Sequence, residues 1–489
     1  MFMNPGESQA AIQKNYSGRK ARIYARAEQS VSAHESWYAK ARYFHDEDFR
    51  YLRFIVPAGA RVLEIGCGTG RVLASLEPSH GVGVDFSPAL VAEARRLHPQ
   101  HEFVVADVED PTWTDAIEKP FDFLLMVDTI GYVDDCQNVL KSLHKLCDRH
   151  TRVVVSYYSY FWQPLLKLAE WIGWKMPTDS HNVLSAADIG SLLALADFDA
   201  IRREWRQLVP LRLAGLGPLI NRYLGTLPLI RRLCLRNYTV ARSLQQLGAP
   251  PQSVSIVVPC RNERGNVEGA VARLPRFCSD LEIIYVEGHS RDGTFEEAER
   301  VREQYHDLDI KVFRQDGIGK ADAVYKGFDH ARGDVLMILD ADLTVPPEQL
   351  NKFWEAFVSG KGEYLQGSRL IYPMEDDAMR FLNLLANWGF SVLFTWLLNQ
   401  RITDTLCGTK VIRREDYLRL KQNRHYFGDF DPFGDFDLIF GAAKMNLKTL
   451  EIPIRYAART YGDTQISRFR HGWLLIKMVV FAFRKLKAF

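Results

Sequence analysis

The chain has 489 residues, too many for one ordinary hydrophobic core and enough for roughly two to four domains. Hydrophobic residues make up 47% of it, which excludes a disordered chain, and 62 Lys and Arg against 60 Asp and Glu leave no charge excess to imply a nucleic-acid partner. The seven cysteines are scattered and odd in number, and none forms a C-x-x-C pair, which argues against a disulfide framework or a zinc site and for a reducing compartment.

In chain order, residues 1–34 read as an N-terminal extension without the apolar stretch of a secretory signal, so a cytoplasmic location is expected. Strand-like runs follow at 62–65, 81–85, 102–106, 123–127 and 152–157, with helical patterns between them, as at 88–97 and 136–147. Strands alternating with helices predict an α/β, doubly wound sheet. Residues 161–174 read as an aromatic-rich amphipathic helix, 208–233 are apolar and broken by Gly and Pro, and a last strand at 238–243 could close the sheet. Gly and Pro-Pro interrupt every periodicity near 246–252, which predicts a linker there. The strand pattern then restarts at 254–258, 282–286, 310–314 and 335–339, so a second doubly wound domain is expected over 253–470.

The first motif is Glu64-Ile65-Gly66-Cys67-Gly68-Thr69-Gly70, directly after an apolar run. Glycines at 66, 68 and 70 allow a tight turn and close approach to a ligand, and the next helix points its N-terminus there. The spacing differs from the dinucleotide G-x-G-x-x-G, which weakens a pyrophosphate reading. Asp85 ends the next strand, where a carboxylate accepts both ribose hydroxyls, and Asp107 ends the third, where one receives an adenine amino group. The order resembles the class I S-adenosylmethionine-dependent methyltransferases over residues 35–245. The resemblance implies S-adenosyl-L-methionine as cofactor, with Glu64, Gly66, Gly68 and Gly70 near its methionine part, Asp85 at the ribose and Asp107 at the adenine. Asp128, after the fourth strand, would stand at the edge of the acceptor pocket. No Asn-Pro-Pro-Tyr or Asp-Pro-Pro-Tyr run is present, which favours an oxygen over a nitrogen acceptor. A hydroxyl acceptor needs a base, for which Asp128, His45 and His181 are candidates.

The second half carries Pro259-Cys260-Arg261-Asn262-Glu263, then Glu287-Gly288-His289-Ser290, then Gly319-Lys320, then Asp340-Ala341-Asp342 at the end of an apolar strand. A nucleotide-sugar donor has two adjacent phosphates whose departure needs electrostatic help. Asp340 and Asp342 can hold Mg2+ or Mn2+ against them, and Lys320 adds a positive charge. Glu263 and Glu287 can take ribose hydroxyl and base N–H groups. The four elements in this order resemble the inverting glycosyltransferases of family 2, which have the GT-A fold. Within that family the pattern is most similar to the dolichyl- or polyprenyl-phosphate sugar synthases, echoed also in Gly367-Ser368-Arg369 and in 404–410. The family's Asp-Asp-Gly-Ser run is here Glu287-Gly288-His289-Ser290, so donor-base preference does not transfer. The resemblance implies donor-side roles for Pro259, Asn262 and Arg468 as well. Asp435 is the expected general base for a hydroxyl acceptor. For a lipid phosphate, which is already anionic, Arg369, Arg459 and Arg468 are the expected binding groups.

Residues 381–399 carry no charge, and 473–483 are apolar except for Lys477, with Arg484, Lys485 and Lys487 following. Both read as buried or interfacial helices rather than spans, and residues 471–489 as an amphipathic helix suited to an anionic membrane surface. The expectation is a bifunctional enzyme on the inner face of the membrane, moving sugar to a polyprenyl phosphate or glycolipid and methylating a related hydroxyl. The alternative is a polysaccharide-building transferase with a sugar-hydroxyl acceptor and a methyltransferase-like half that only binds ligand or scaffolds. Oligomeric state is not legible.

Overall fold

A computed structural model describes residues 16, 18–178, 181–372, 381–423, 435–459, 461 and 468–489. The chain divides into two compact units between Gly248 and Ala249.

The first unit is built on a sheet of β1 (Arg61–Ile65), β2 (His80–Asp85), β3 (Glu102–Val105), β4 (Phe123–Val127), β5 (Arg152–Tyr158), β6 (Phe198–Arg206) and β7 (Arg236–Ser243). Their order is β3-β2-β1-β4-β5-β7-β6. The first five are parallel and β7 runs antiparallel to both neighbours. Val62, Leu63, Ile65, Leu124, Met126 and Val153 are fully buried, as strands covered on both faces must be. Strand order reverses between β1 and β4, which opens a crevice at their carboxyl ends. This is the class I methyltransferase arrangement that the glycine motif led us to expect.

Strand β6 is absent from the sequence reading because FDAIRREWR is charged. Two of its three arginines are held by aromatic rings of the helix Arg42–Ile55, with Arg202 over Phe54 at 5.6 Å and Arg206 over Tyr51 at 4.8 Å. The expected helix at 161–174 forms as a short turn, Tyr160–Trp162, and a helix, Gln163–Trp171, that buries none of its residues.

The second unit holds β8 (Ser253–Cys260), β9 (Asp280–Glu287), β10 (Asp309–Arg314), β11 (Val335–Ile338), β12 (Tyr364–Ser368), β13 (Lys410–Arg413) and β14 (Thr449–Pro453). Their order is β10-β9-β8-β11-β13-β12-β14, with β13 antiparallel to both β11 and β12 and the remaining pairs parallel. The switch point lies between β8 and β11. A doubly wound sheet of the GT-A type is therefore present, and its reversal point sits beside the acidic pair.

The helix Phe381–Leu398 packs on the helix Arg468–Leu486 through Trp396 and Phe483, whose ring centroids are 5.5 Å apart. Phe394 is buried against Phe436 and Phe440, while Trp388, Val392, Trp473, Ile476 and Val480 are exposed. Among the described residues, no helix is long and apolar enough to cross a membrane.

Candidate functional sites

At the carboxyl ends of β1, β2 and β4 the first unit encloses a cavity of about 300 Å³. Gly66, Asp85, Asp107, Asp128 and Thr129 line it, together with Ile23, Ala27, Ser30 and His34 of the helix Gly18–Lys40 and with Met176, Pro177 and Thr178. Gly66 has φ 72°, and a Cβ there would overlap the Thr129 side chain, whose Oγ1 donates to the Ile65 carbonyl at 2.7 Å. Only glycine fits between that threonine and the cavity.

Asp85 closes β2 and is buried, accepting from the N–H groups of Gly68 and Ser87 at 3.0 Å each. Burial pushes its carboxyl above the usual range, against those backbone donors. Asp107 lies two residues beyond β3, and Lys20 reaches it at 2.6 Å and Glu109 at 2.6 Å. Asp128 follows β4 in a left-handed conformation, φ 61°, and its carboxylate is ion-paired with Arg236. Arg236 is fully buried and also holds Asp48 at 3.1 Å and 3.2 Å. Burial nevertheless raises the Asp128 carboxyl, with Arg236 opposing.

Glu64 stands apart from the cavity. It is buried below the glycine loop, where Oε2 accepts from the Leu73 N–H at 2.9 Å. Burial raises its carboxyl to about 8. Its position ties the loop to the helix Arg71–Ser75. Gly68 and Gly70 shape the same loop with φ 53° and 74°. His45 is stacked on Tyr38 at 4.9 Å, and His181 lies 6.1 Å from the Tyr132 ring; neither lines the cavity.

The sequence reading missed the helix Gly18–Lys40, Lys20 above all. Ile23, Ala27, Ser30 and His34 follow one another at spacings of three and four, a one-sided helical pattern that would have revealed it. The cavity offers carboxylates, a glycine cradle and an apolar wall, which fits a nucleoside with a short polar tail.

In the second unit the acidic pair follows β11. Asp340 is held by Lys320 at 2.6 Å. Burial alone would raise its carboxyl, but Lys320, Lys410 and Arg369 outweigh this and hold it below the usual range. Gly408 is needed here, because a Cβ on it would overlap both the Asp340 carboxylate and Lys320 Nζ. Asp342 accepts from Thr344 Oγ1 at 2.7 Å and from Arg459 Nη2 at 2.6 Å. The same guanidinium donates to Glu263 at 3.0 Å, so Arg459 joins the donor-side glutamate to the acidic pair.

Glu263 also accepts from Asn266 at 2.7 Å, and burial raises its carboxyl. Asn262, φ 55°, bridges two loops: its N–H meets Ser290 Oγ at 2.9 Å and its Oδ1 the Arg291 N–H at 2.9 Å. Glu287 closes β9, buried, and takes the Ser290 N–H; Pro259 is the penultimate residue of β8. Arg369 acts on Asp340 by charge but bonds elsewhere. It forks onto fully buried Asp404 at 2.6 and 2.8 Å and lies over the Tyr456 ring. Asp435 and Arg468 open the helices Asp435–Lys444 and Arg468–Leu486, and their side chains lie outside what the structure describes, as do Thr460 and residues 462–467.

Asp340 and Asp342 are hard oxygen donors on one turn. Mg2+ is commonly held by one or two carboxylates with substrate phosphates completing its shell, and the pair fits that donor set. No cluster of three or more His, Cys, Asp or Glu suited to a metal occurs among the described residues, so a protein-only cage is not present among them.

The methyltransferase domain profile matches residues 38–202, and the glycosyl transferase family 2 profile matches residues 255–420. Dolichol-phosphate mannosyltransferase of Pyrococcus furiosus is 28% identical over 235 residues, 46% of this chain and 64% of that protein. Undecaprenyl-phosphate 4-deoxy-4-formamido-L-arabinose transferase of Pseudomonas aeruginosa is 31% identical over 239 residues, 47% of this chain and 65% of that protein. This chain thus spans less than two thirds of the length of either relative. A SAM-dependent methyltransferase of Thermotoga maritima aligns to 45% of this chain and 99% of its own, with 19% identity and a TM-score of 0.36. The chain joins a methyltransferase domain to a domain of glycosyl transferase family 2.

Proposed function

We propose that this chain is a bifunctional enzyme. Its second unit transfers a sugar from a nucleotide donor to a polyprenyl phosphate or related glycolipid, and its first O-methylates a related substrate with S-adenosyl-L-methionine. The observation that carries the reading is the Asp340–Asp342 turn at the switch point, with Lys320 and Arg459 on its two carboxylates. The two named relatives supply the acceptor class, being transferases of dolichol phosphate and undecaprenyl phosphate.

In this reading Asp340 and Asp342 hold Mg2+ or Mn2+, which supplies positive charge for the departing diphosphate. Lys320 adds a fixed charge there, and Arg459 moves from Asp342 toward phosphate as the donor enters. Pro259, Asn262, Glu263 and Glu287 surround the nucleoside, with Glu263 and Glu287 as hydrogen-bond acceptors. Arg369 is a positioning residue that acts through Asp404. Arg468 is the further candidate cation for the acceptor phosphate. A phosphate monoester attacks as an anion, so Asp435 need not act as a strong base.

In the first unit, Asp85 takes the ribose hydroxyls and Asp107 the adenine amino group, while the loop at Gly66, Gly68 and Gly70 gives close backbone approach. S-adenosylmethionine supplies a methyl group on a sulfur that keeps the bond's electron pair as the acceptor oxygen takes the methyl and gives up its proton. Asp128 lines the cavity and receives that proton.

The exposed row Trp473, Ile476 and Val480, beside Lys477 and Arg484, seats the second unit on an anionic membrane surface from the cytoplasmic side. Calorimetry with S-adenosylmethionine and its demethylated product tests the first half. Absence of heat with either would end the methyltransferase reading.

A further inference from the structure

Two apolar segments of the first unit do not pack into its core. One follows β5 and contains the helix Gln163–Trp171; the other, residues 207–235, joins β6 to β7. Tyr158, Arg236 and Arg206 are register partners, so both segments leave the sheet at the same end. Trp162 Nε1 donates to the Leu233 carbonyl at 2.7 Å and ties them together. Phe161 is 72% exposed, Trp171 83% and Leu229 84%, with Leu165, Leu168 and Leu216 exposed beside them. The longer segment is a built structure rather than a slack loop. Buried Asn221 accepts from the Val209 N–H at 2.9 Å and donates to its carbonyl at 2.8 Å.

The charge on these segments is one-sided. Residues 207–235 contain Arg212, Arg222, Arg231 and Arg232 and no acid; Arg212 and Arg232 are exposed, while Arg231 is paired with Glu204 of β6 at 3.9 Å. Within the other segment, Glu170 is neutralised by Lys175 at 2.6 Å and capped by Thr178 Oγ1 at 2.7 Å. Exposed Trp, Phe and Leu beside exposed arginines suit the headgroup level of an anionic bilayer, where aromatic rings and cations both gain. A protein partner of matching charge would need an acidic rim around an apolar centre, whereas a bilayer supplies both at once. The Glu170 contact also matters for the site. It pins the helix Gln163–Trp171 to Met176, Pro177 and Thr178, which line the cavity. The surface and the cavity wall are one continuous stretch of chain.

We propose that this face seats the first unit on an anionic lipid bilayer, and that the methyl acceptor is an amphiphile drawn from that bilayer past the Met176–Pro177–Thr178 wall. The acceptor class rests on the methyltransferase reading above; the bilayer contact does not.

The test uses the full chain, with vesicles of phosphatidylcholine alone or with added phosphatidylglycerol. The double variant Trp171→Asp/Leu229→Asp changes only exposed side chains. It should lose roughly tenfold or more of the wild-type affinity for the anionic vesicles, while binding S-adenosylhomocysteine as the wild type does. Wild-type binding should be weaker on phosphatidylcholine alone. With labelled S-adenosylmethionine and a membrane lipid extract, label should enter organic-phase material, and the double variant should reduce it. Vesicle affinity unchanged in the variant overturns the proposal, as does a wild-type dimer that the variant dissolves, which would give the face to a second copy. Label confined to water-soluble acceptors overturns the acceptor class. If the wild type binds neither cofactor form, the methyltransferase reading fails, and the vesicle comparison still decides the bilayer contact.

Discussion

Arg369 and Asp404 form a two-pronged ion pair: Nε and Nη2 donate at 2.6 and 2.8 Å to the two oxygens of a carboxylate that is fully buried. The arginine that sequence reasoning offered to a lipid phosphate is thus paired with a buried carboxylate in this structure. Arg369→Ala should cost about 3–5 kcal/mol of stability, the usual penalty for stranding a buried charge. Arg369→Met with Asp404→Asn should recover part of it, because the charge is removed from both partners and Asn keeps one of the two oxygens that accept from the backbone N–H groups of residues 369 and 406. Urea denaturation measures both. An Arg369→Ala protein as stable as wild type but inactive would return the guanidinium to the reacting centre.

Glu64 predicts a pH dependence. Burial raises its carboxyl from 4.5 to about 8, opposed by the Leu73 N–H and aided by Asp85. The folded state therefore keeps a proton that the unfolded chain releases near 4.5. The stability that this group contributes is complete below that pH and drains away as the pH rises to about 8. Glu64→Gln keeps an oxygen for Leu73 and removes the titration. Thermal unfolding between about pH 5 and pH 9 should show the wild type falling behind Glu64→Gln by up to about 1.4 kcal/mol per unit. Parallel curves would mean that Glu64 is ionised in the fold.

Asp85→Ala should weaken S-adenosylmethionine binding by roughly 1.5–3 kcal/mol, the range for hydrogen bonds to a charged group. Titration calorimetry reads it directly. A variant that binds like wild type would place the ribose elsewhere.

Asp435→Asn should retain appreciable sugar transfer, because an anionic phosphate nucleophile needs no strong base. Loss of all activity, with the fold intact by circular dichroism, would point to a hydroxyl acceptor instead.

The parts of the fold legible in the sequence are those where one physical demand dominates. Strands such as β1 and β4 are buried on both faces and read as unbroken apolar runs. The acids at the strand ends stand out because a carboxylate after an apolar strand has few structural uses. Strand β6 was hidden because two of its three arginines are satisfied by Tyr51 and Phe54, residues far away in sequence. Strands β12, β13 and β14 are four or five residues long, too short for a period to show, and β13 begins with Lys410, fully buried. Glu64 shows the limit for the site: its motif position is clear, but only the fold reveals that it supports the loop from below. Lys20 was missed because its partner Asp107 lies beyond β1, β2 and β3 in sequence.

The proposed metal-assisted sugar transfer to a polyprenyl phosphate can be measured in one assay. The most direct measurement incubates the full chain with labelled nucleotide sugars, Mn2+ and undecaprenyl phosphate, and follows label into the organic phase. The account predicts lipid-linked label with at least one donor, abolished by EDTA and by Asp342→Ala. Transfer at full rate in EDTA or in Asp342→Ala, or label appearing only in water-soluble saccharide, would contradict it.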